Sequence, residues 1–219
     1  MTATAAARQA FIAQNLALAP VPGVPQIQLY STHPGSGLWR LAAEDDDADP
    51  PYWAYPWGGG IVLARHLLDH PQKVRGARVL DLGCGGGVVG IAAMLAGAAS
   101  VLAVDADAMA ITATEMNAQA NAVEIETLRC DVRRLKTQAV DLILVGDLFY
   151  ELELAKAVSA YLDRAGKPPV EVLVGDPGRT TLPRRRLAPV AAYRTADFGS
   201  ASTPAEVFAW KAPAPALEP

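Results

Sequence analysis

The sequence predicts an α/β fold in which a doubly wound, mostly parallel sheet is closed at one edge by an antiparallel hairpin. Three observations lead there. From Ala77 onward, short apolar strand-like runs alternate with helical ones, as parallel strands joined by crossover helices require. The run "AVDLILVGD" is apolar at successive residues, the pattern of a strand buried on both faces. Near the end, "LAPVAAYRTADF" and "AEVFAWKA" carry strand residues with no helix between them, which reads as a closing hairpin.

The elements follow in order. The segment before Pro50 is rich in Pro, Gly and Ala and ends in "EDDDAD", Glu44 to Asp49, whose carboxylates repel one another and favour a solvated loop or a dock for a basic partner. "IVLARHLLDH" then has helical spacing at Ile61, Ala64, Leu67 and Leu68, ended near Pro71. "ARVLDLG" is a strand, "VVGIAAMLAGA" a helix closed by Gly97, and "SVLAVD" a second strand. "AMAITATEMNAQAN" is a helix, "IETLRCD" a third strand, "AVDLILVGD" a fourth, "ELELAKAVSAYLDRAG" a helix and "VEVLVGD" a fifth strand. The division expected is an N-terminal extension over residues 1–56, partly loop and contributing to a substrate site, a main domain over 57–211, and a disordered tail over 212–219.

Composition narrows the function. With 51% hydrophobic and 19% charged residues in 219, the chain is of globular type. No apolar run approaches the ~20 residues of a membrane span. A net charge of −4 argues against duplex nucleic acid as the main partner. Two cysteines, Cys84 and Cys130, offer no disulfide framework, and with three histidines and no Cys-x-x-Cys spacing no metal site is expected. The Ala-rich start carries Arg8 and no acid, as a transit peptide would, but Phe11 to Tyr30 already reads as domain sequence. The expectation is a cytoplasmic protein, taken as a monomer.

The sharpest local signal is "VLDLGCGGGVVG", Val79 to Gly90. It can be read as a dinucleotide fingerprint through Gly85, Gly87 and Gly90, or as the S-adenosylmethionine pattern D-x-G-x-G-x-G through Asp81, Gly83, Gly85 and Gly87. In the first case the leading glycine should directly follow the strand, so that the helix N-terminus meets a pyrophosphate; Gly85 stands too far along. Asp81 would repel a pyrophosphate but suits the ammonium of a methionine moiety. Asp105, closing the second strand, is placed to accept from both ribose hydroxyls, and Asp131, closing the third, to meet the adenine amino group.

Methyl transfer from a sulfonium to an amine needs alignment, a neutral nucleophile and exclusion of water. A lysine amine has a reference pKa near ~10.4 and arrives protonated. Two stretches could serve it. Asp49-Pro50-Pro51-Tyr52 spells the motif of amino-group methylases, but it precedes the glycine loop and reads as a coincidence of letters. Asp147-Leu148-Phe149-Tyr150 follows the fourth strand, where ligands of such sheets sit. Asp147 can hold the amine, while Phe149 and Tyr150 wall the methylene chain and attract the cation.

"PYWAYPWGGGIVLARHLLDHP", "VLDLGCGGG", "LVGDLFY" and "VLVGDPGR" together resemble the lysine methyltransferases of the electron transfer flavoprotein β subunit, from roughly Phe11 to Trp210. The resemblance implies a Rossmann-like class I methyltransferase with a seven-stranded sheet, S-adenosyl-L-methionine as cofactor, and that flavoprotein subunit as protein partner. It implies Trp57, Asp81, Gly83, Cys84, Gly85, Gly87, Asp105, Asp131 and Asp147 at the cofactor, Asp147, Phe149 and Tyr150 at the acceptor lysine, and Asp176 and Arg179 shaping the substrate site. Two departures stand out. The family's Trp-Pro-Gly-Gly is Pro56-Trp57-Gly58-Gly59 here, and Asp131 stands where the family often has Asn. The alternatives are methylation of a ribosomal protein, a non-catalytic cofactor-binding module, and an adenine methylase. Arg184-Arg185-Arg186 is either a solvated loop or a dock for an acidic surface.

Overall fold

A computed structural model describes residues 4–32, 36, 38, 50–197 and 200–211. The acidic run 44–49, Asp49 of the Asp-Pro-Pro-Tyr stretch and the tail 212–219 lie outside the described residues. The main sheet has seven strands in the order β5-β4-β3-β6-β7-β9-β8. These are β3 (Arg78–Leu82), β4 (Ser100–Asp105), β5 (Glu126–Arg129), β6 (Leu142–Gly146), β7 (Glu171–Asp176), β8 (Leu187–Asp197) and β9 (Ser200–Trp210). Strands β3 to β7 pair in parallel, and β9 runs antiparallel to both β7 and β8. The strand order reverses between β3 and β6, the switch point at which such sheets open a crevice.

Apolar residues bury both faces. On one face the helices α2 (Gly58–Asp69) and α3 (Val88–Leu95) set Leu63, Leu67 and Ile91 against Val79, Leu142 and Leu144. On the other, α5 (Leu152–Ala165) sets Val158, Tyr161 and Leu162 against Leu80, Ile143, Val145 and Val174. Alternate residues of β3 and β6 thus serve opposite cores, which is why these runs are apolar throughout. Helix α4 (Ala108–Ala120) crosses from β4 to β5, capped by the Asp107 carboxylate, which accepts from Met109 N at 2.7 Å.

The N-terminal segment is more regular than its composition suggests. Helix α1 (Ala5–Asn15) is capped by Thr4 and leads into an antiparallel hairpin, β1 (Ala17–Val21) and β2 (Val24–Ser31), turned at Gly23 with φ +88°. Ile27 and Leu29 of the hairpin join the core under α2 and α3. Ile12 and Leu16 meet Trp53, Ala110 and Ala113 in a separate cluster on α4.

Helix α2 starts three residues earlier than its apolar spacing indicates. Gly58, Gly59 and Gly60 form its first turn instead of a preceding loop. Glycine is a poor helix former, so packing explains the choice. A methyl on Gly59 would overlap the Gly175 carbonyl oxygen, and one on Gly60 would come within 3.2 Å of Val88 Cγ1. Three residues without side chains let the helix N-terminus lie directly on the ends of β6 and β7.

Candidate active site

A cavity of about 720 Å³ opens outside the carboxyl ends of β3, β4 and β6. Its floor is the turn after β3, where Gly83 and Gly85 take φ of +70° and +53°, values that disfavour other residues. A Cβ on Gly83 would stand 2.6 Å from Leu148 Cδ1, so the turn and the residue after Asp147 fit only through the missing side chain. Asp81 lies beneath this turn. Its carboxylate is buried and accepts from Gly90 N at 2.9 Å, tying β3 to the first turn of α3, and burial pushes its pKa up to about 7.

Asp105 forms one wall. Its Oδ2 accepts from Gly85 N at 2.9 Å and its Oδ1 from Asp107 N at 3.0 Å, which fixes the carboxylate towards the cavity. Burial raises its pKa, and these N–H donors oppose that rise. At the far end Asp131 lines the rim, holding Arg133 through Oδ2 to Nη1 at 2.9 Å. The Arg133 backbone N–H and guanidinium hold its pKa down. Two carboxylates therefore face one cavity in different electrostatic states, one buried and one beside a cation.

Asp147 forms the opposite wall. It follows β6 with φ +57°, a conformation that L residues adopt reluctantly and that persists where surrounding contacts impose it. Its N–H donates to Gly175 O at 2.9 Å, and its Oδ2 accepts from Gly59 N at 3.1 Å at the start of α2. Arg179, in the turn after β7, completes the clamp by donating through Nε to Oδ1 at 2.7 Å and Nη2 to Oδ2 at 3.0 Å. That turn is itself held by Asp176, whose Oδ1 accepts from Gly178 N and Arg179 N at 2.6 and 2.7 Å. Burial lifts the Asp176 carboxyl to about 6, and its Oδ2 is buried without a hydrogen-bond partner.

Aromatic rings crowd the mouth. Tyr52 stands 5.4 Å from Tyr150 and 5.9 Å from Trp57 between ring centroids, and Trp57 Nε1 donates to Tyr52 O at 2.8 Å. The Arg179 guanidinium carbon lies 5.7 Å from the Trp57 ring centroid. Tyr52 and Tyr150 remain 41% and 46% exposed, large rings at a cavity entrance and not core residues.

Comparison with known proteins fits this geometry. The family model for ribosomal protein L11 methyltransferase (PrmA) matches residues 63–166. The electron transfer flavoprotein beta subunit lysine methyltransferase of Xenopus laevis is 39% identical over 197 residues, covering 86% of this chain and 79% of that protein. The chain belongs to the electron transfer flavoprotein beta subunit lysine methyltransferase family. The human member is 37% identical over 157 residues, and the match spans 71% of this chain and 60% of that protein. In fold alone, the chain resembles magnesium protoporphyrin IX methyltransferase from Synechocystis PCC 6803, solved with bound SAM, with a TM-score of 0.53 at 17% identity over 71% of this chain and 80% of that one. The chain is thus a methyltransferase with a class I fold.

Within this family member, the residues expected at the site divide into two groups. Trp57, Gly83, Gly85, Asp105, Asp131, Asp147, Tyr150 and Arg179 line one cavity. Asp81, Cys84, Gly87, Phe149 and Asp176 are not among its lining residues. Asp81 was expected to meet a ligand ammonium, but it is buried under the turn and holds it from below. Cys84 is buried and hydrogen-bonded by Thr114, with its thiol pKa pushed up by burial, and Gly87, at φ +84°, starts α3 against Thr114. Phe149 corrects the expectation most clearly. It is fully buried and stacks on Trp210 at 6.4 Å, so only Tyr150 of the aromatic pair reaches the mouth. Asp176 acts through Arg179, whose backbone it fixes.

Sequence reasoning missed Tyr52 by treating its motif as accidental. Pro50, Tyr52 and Trp53 line the cavity. Asn117 was also missed. Fully buried, it accepts from Tyr30 N at 2.7 Å and donates to Gly86 O at 2.8 Å, joining β2 to the glycine turn. An Asn inside a buried helical turn was the available signal, since such a group must find partners. Among the described residues no helix is long and apolar enough to cross a membrane, and no group of His, Cys, Asp and Glu is suited to a metal ion.

Proposed function

We propose that the chain is an S-adenosylmethionine-dependent protein-lysine N-methyltransferase whose substrate is the β subunit of electron transfer flavoprotein. The observation that carries this reading is the placement of Asp105 and Asp147 on opposite walls of one cavity, at the ends of β4 and β6 that flank β3. The residues present suit the cofactor. The glycine turn leaves room no side chain could share, Asp105 offers a carboxylate to a ribose diol, and Asp131 and Val132 edge the space beyond it. Bound there, the cofactor supplies an electrophilic methyl group on a positively charged sulfur.

The chain's own work lies at the acceptor end. A lysine arrives as an ammonium, and Asp147 with the rings of Tyr52, Trp57 and Tyr150 can attract it. The ammonium gives up one proton to water at the open mouth of the cavity, and Asp147 then accepts a hydrogen bond from the neutral amine, which directs the nitrogen lone pair away from the carboxylate and into the cavity. The rings exclude water, keeping the neutral amine from being reprotonated by bulk solvent. Once the methyl has passed from sulfur to nitrogen, the nitrogen carries the positive charge the sulfur has lost, and the carboxylate stabilises it until a proton leaves to water.

A ribosomal protein as substrate is the second reading, favoured by the match over residues 63–166. That span holds the cofactor walls together with Asp147 and Tyr150, whereas Tyr52, Trp57 and Arg179 lie outside it. The flavoprotein is favoured because the match to its Xenopus laevis methyltransferase extends over 86% of this chain. The test is methyl transfer from labelled cofactor to a mixture of flavoprotein β subunit and a ribosomal L11 protein. Label on lysine of the flavoprotein subunit supports the proposal; label confined to the ribosomal protein overturns the substrate and leaves the chemistry. The two unpaired thiols, Cys84 and Cys130, suit a reducing compartment such as the cytoplasm, which we propose as its location.

A further inference from the structure

The acceptor end of the cavity already contains a cation. Arg179 makes both bonds of a bidentate pair with Asp147, at 2.7 and 3.0 Å, and its guanidinium carbon is 5.7 Å from the Trp57 ring centroid. Tyr52 packs on Trp57 and on Tyr150, so carboxylate and rings enclose one end of the cavity. A carboxylate with aromatic faces is the chemistry that recognises an alkylammonium ion. These are the groups that a substrate lysine would need.

Both cations cannot hold the carboxylate in full. The Asp147 side chain is only 3% exposed, and its oxygens already accept from Arg179 Nε, Arg179 Nη2 and Gly59 N. A carboxylate has about four accepting directions, so little remains for a third donor group. The Gly59 bond belongs to the helix backbone and cannot move without α2. The Arg179 bonds belong to a long side chain, 28% exposed, whose backbone is fixed by Asp176. An outward swing of that side chain would leave the turn in place, because the turn is held by the Asp176 bonds to backbone N–H groups.

We propose that Arg179 is a resident stand-in for the substrate lysine: it fills the Asp147 cation site in the free protein and leaves that carboxylate when lysine enters. The inference rests on the acceptor-lysine reading above. Physically, Arg179 keeps a nearly buried carboxylate from standing unpaired, which is strongly unfavourable. Functionally, it sets a threshold. The apparent affinity for any amine falls by the fraction of time the site is open. A free amine brings only its ammonium and competes poorly with a bidentate guanidinium. A lysine carried on a protein surface brings further contacts and can displace it, so Arg179 selects protein-bound lysine over free amines.

Binding of n-butylammonium, a lysine side chain without its backbone, tests this by calorimetry with S-adenosylhomocysteine present. Arg179→Ala and Arg179→Gln should bind it about 10-fold more tightly than the wild type, and Asp147→Asn combined with Arg179→Ala should lose that gain. On the protein substrate, KM should fall, because the cation site is already vacant. Equal or weaker amine binding overturns the proposal, as does a fall in kcat at unchanged KM, which would make Arg179 a positioning residue for Asp147. S-adenosylhomocysteine affinity reports whether the variants fold. Should neither fold, the Arg179 Nε–H resonance of the wild type decides. It should shift as butylammonium saturates, and an unmoved resonance under saturation, or no amine binding at all, refutes the stand-in. Amine binding does not depend on which protein is methylated. A gain in the variants with no methylated flavoprotein therefore overturns the substrate reading alone.

Discussion

Asp147 combines three duties in one residue: it ends β6 at a positive φ, accepts from the first turn of α2, and binds Arg179. Replacing it by Asn keeps the shape and an acceptor for Gly59 N but removes the charge. Asp147→Asn should lower turnover by about 100-fold or more, the scale of a lost acid–base or positioning group. Cofactor affinity, measured by calorimetry, should change by no more than about threefold, because Asp105 and the glycine turn are untouched. Equal turnover would reduce Asp147 to a helix cap. Much at this scale was legible. Asp105 and Asp147 each end a parallel strand, and strand ends are where such sheets bind ligands. Side-chain direction beyond the strand was not. Phe149 and Tyr150 are adjacent and chemically alike, yet one enters the core on Trp210 and the other reaches the mouth. That choice is made by a strand about sixty residues further on, which no local spacing reports.

Elements meet at two places where small changes should have large consequences. At the first, α2 lies on the ends of β6 and β7 through Gly59 and Gly175, and a methyl on either would overlap the other's carbonyl oxygen. Gly59→Ala should therefore destabilise by about 3 kcal/mol or prevent folding, the upper range of overpacking. Gly76→Ala has open space around it and only an unfavourable φ of +73°, so it should lose about 1 kcal/mol. Urea denaturation of the two variants compares them. At the second, Asp81 ties β3 to α3 with its carboxyl raised to about 7 by burial, against 3.8 when exposed. The folded state holds a proton that the unfolded chain releases between those values. Stability should thus fall as pH rises from about 4 to about 7, by as much as a few kcal/mol, and Asp176, raised to about 6, adds in the same direction. Asp81→Asn should flatten this slope whatever its effect on absolute stability. The parallel strands were readable from apolar runs, but the start of α2 was not, because glycine's poor helix propensity is overridden by close packing.

Across the whole molecule, residues that precede α2 in the chain complete the cavity: Pro50, Tyr52 and Trp53 stand in its lining beside the strand ends. Trp53 belongs to the cluster of Ile12 and Leu16 on α4 while also lining the cavity, and Asn117 joins Tyr30 to Gly86 of the glycine turn. Asn117→Ala leaves the Gly86 carbonyl and the Tyr30 N–H without this partner. It should weaken cofactor binding about 10-fold, read by calorimetry, while an exposed control such as Gln119→Ala leaves it unchanged. Sequence reading recovered the sheet, its hairpin edge and the strand-end acids, because each is written in a contiguous run. It undervalued Tyr52, whose place beside Tyr150 joins residues far apart in the sequence. Lysine methylation by this chain is read out by tandem mass spectrometry of flavoprotein β subunit incubated with it and S-adenosylmethionine, beside the Asp147→Asn variant. Methylated lysine is expected with the wild type and little or none with the variant. Cofactor binding by both proteins with no methylated lysine in either sample would contradict it.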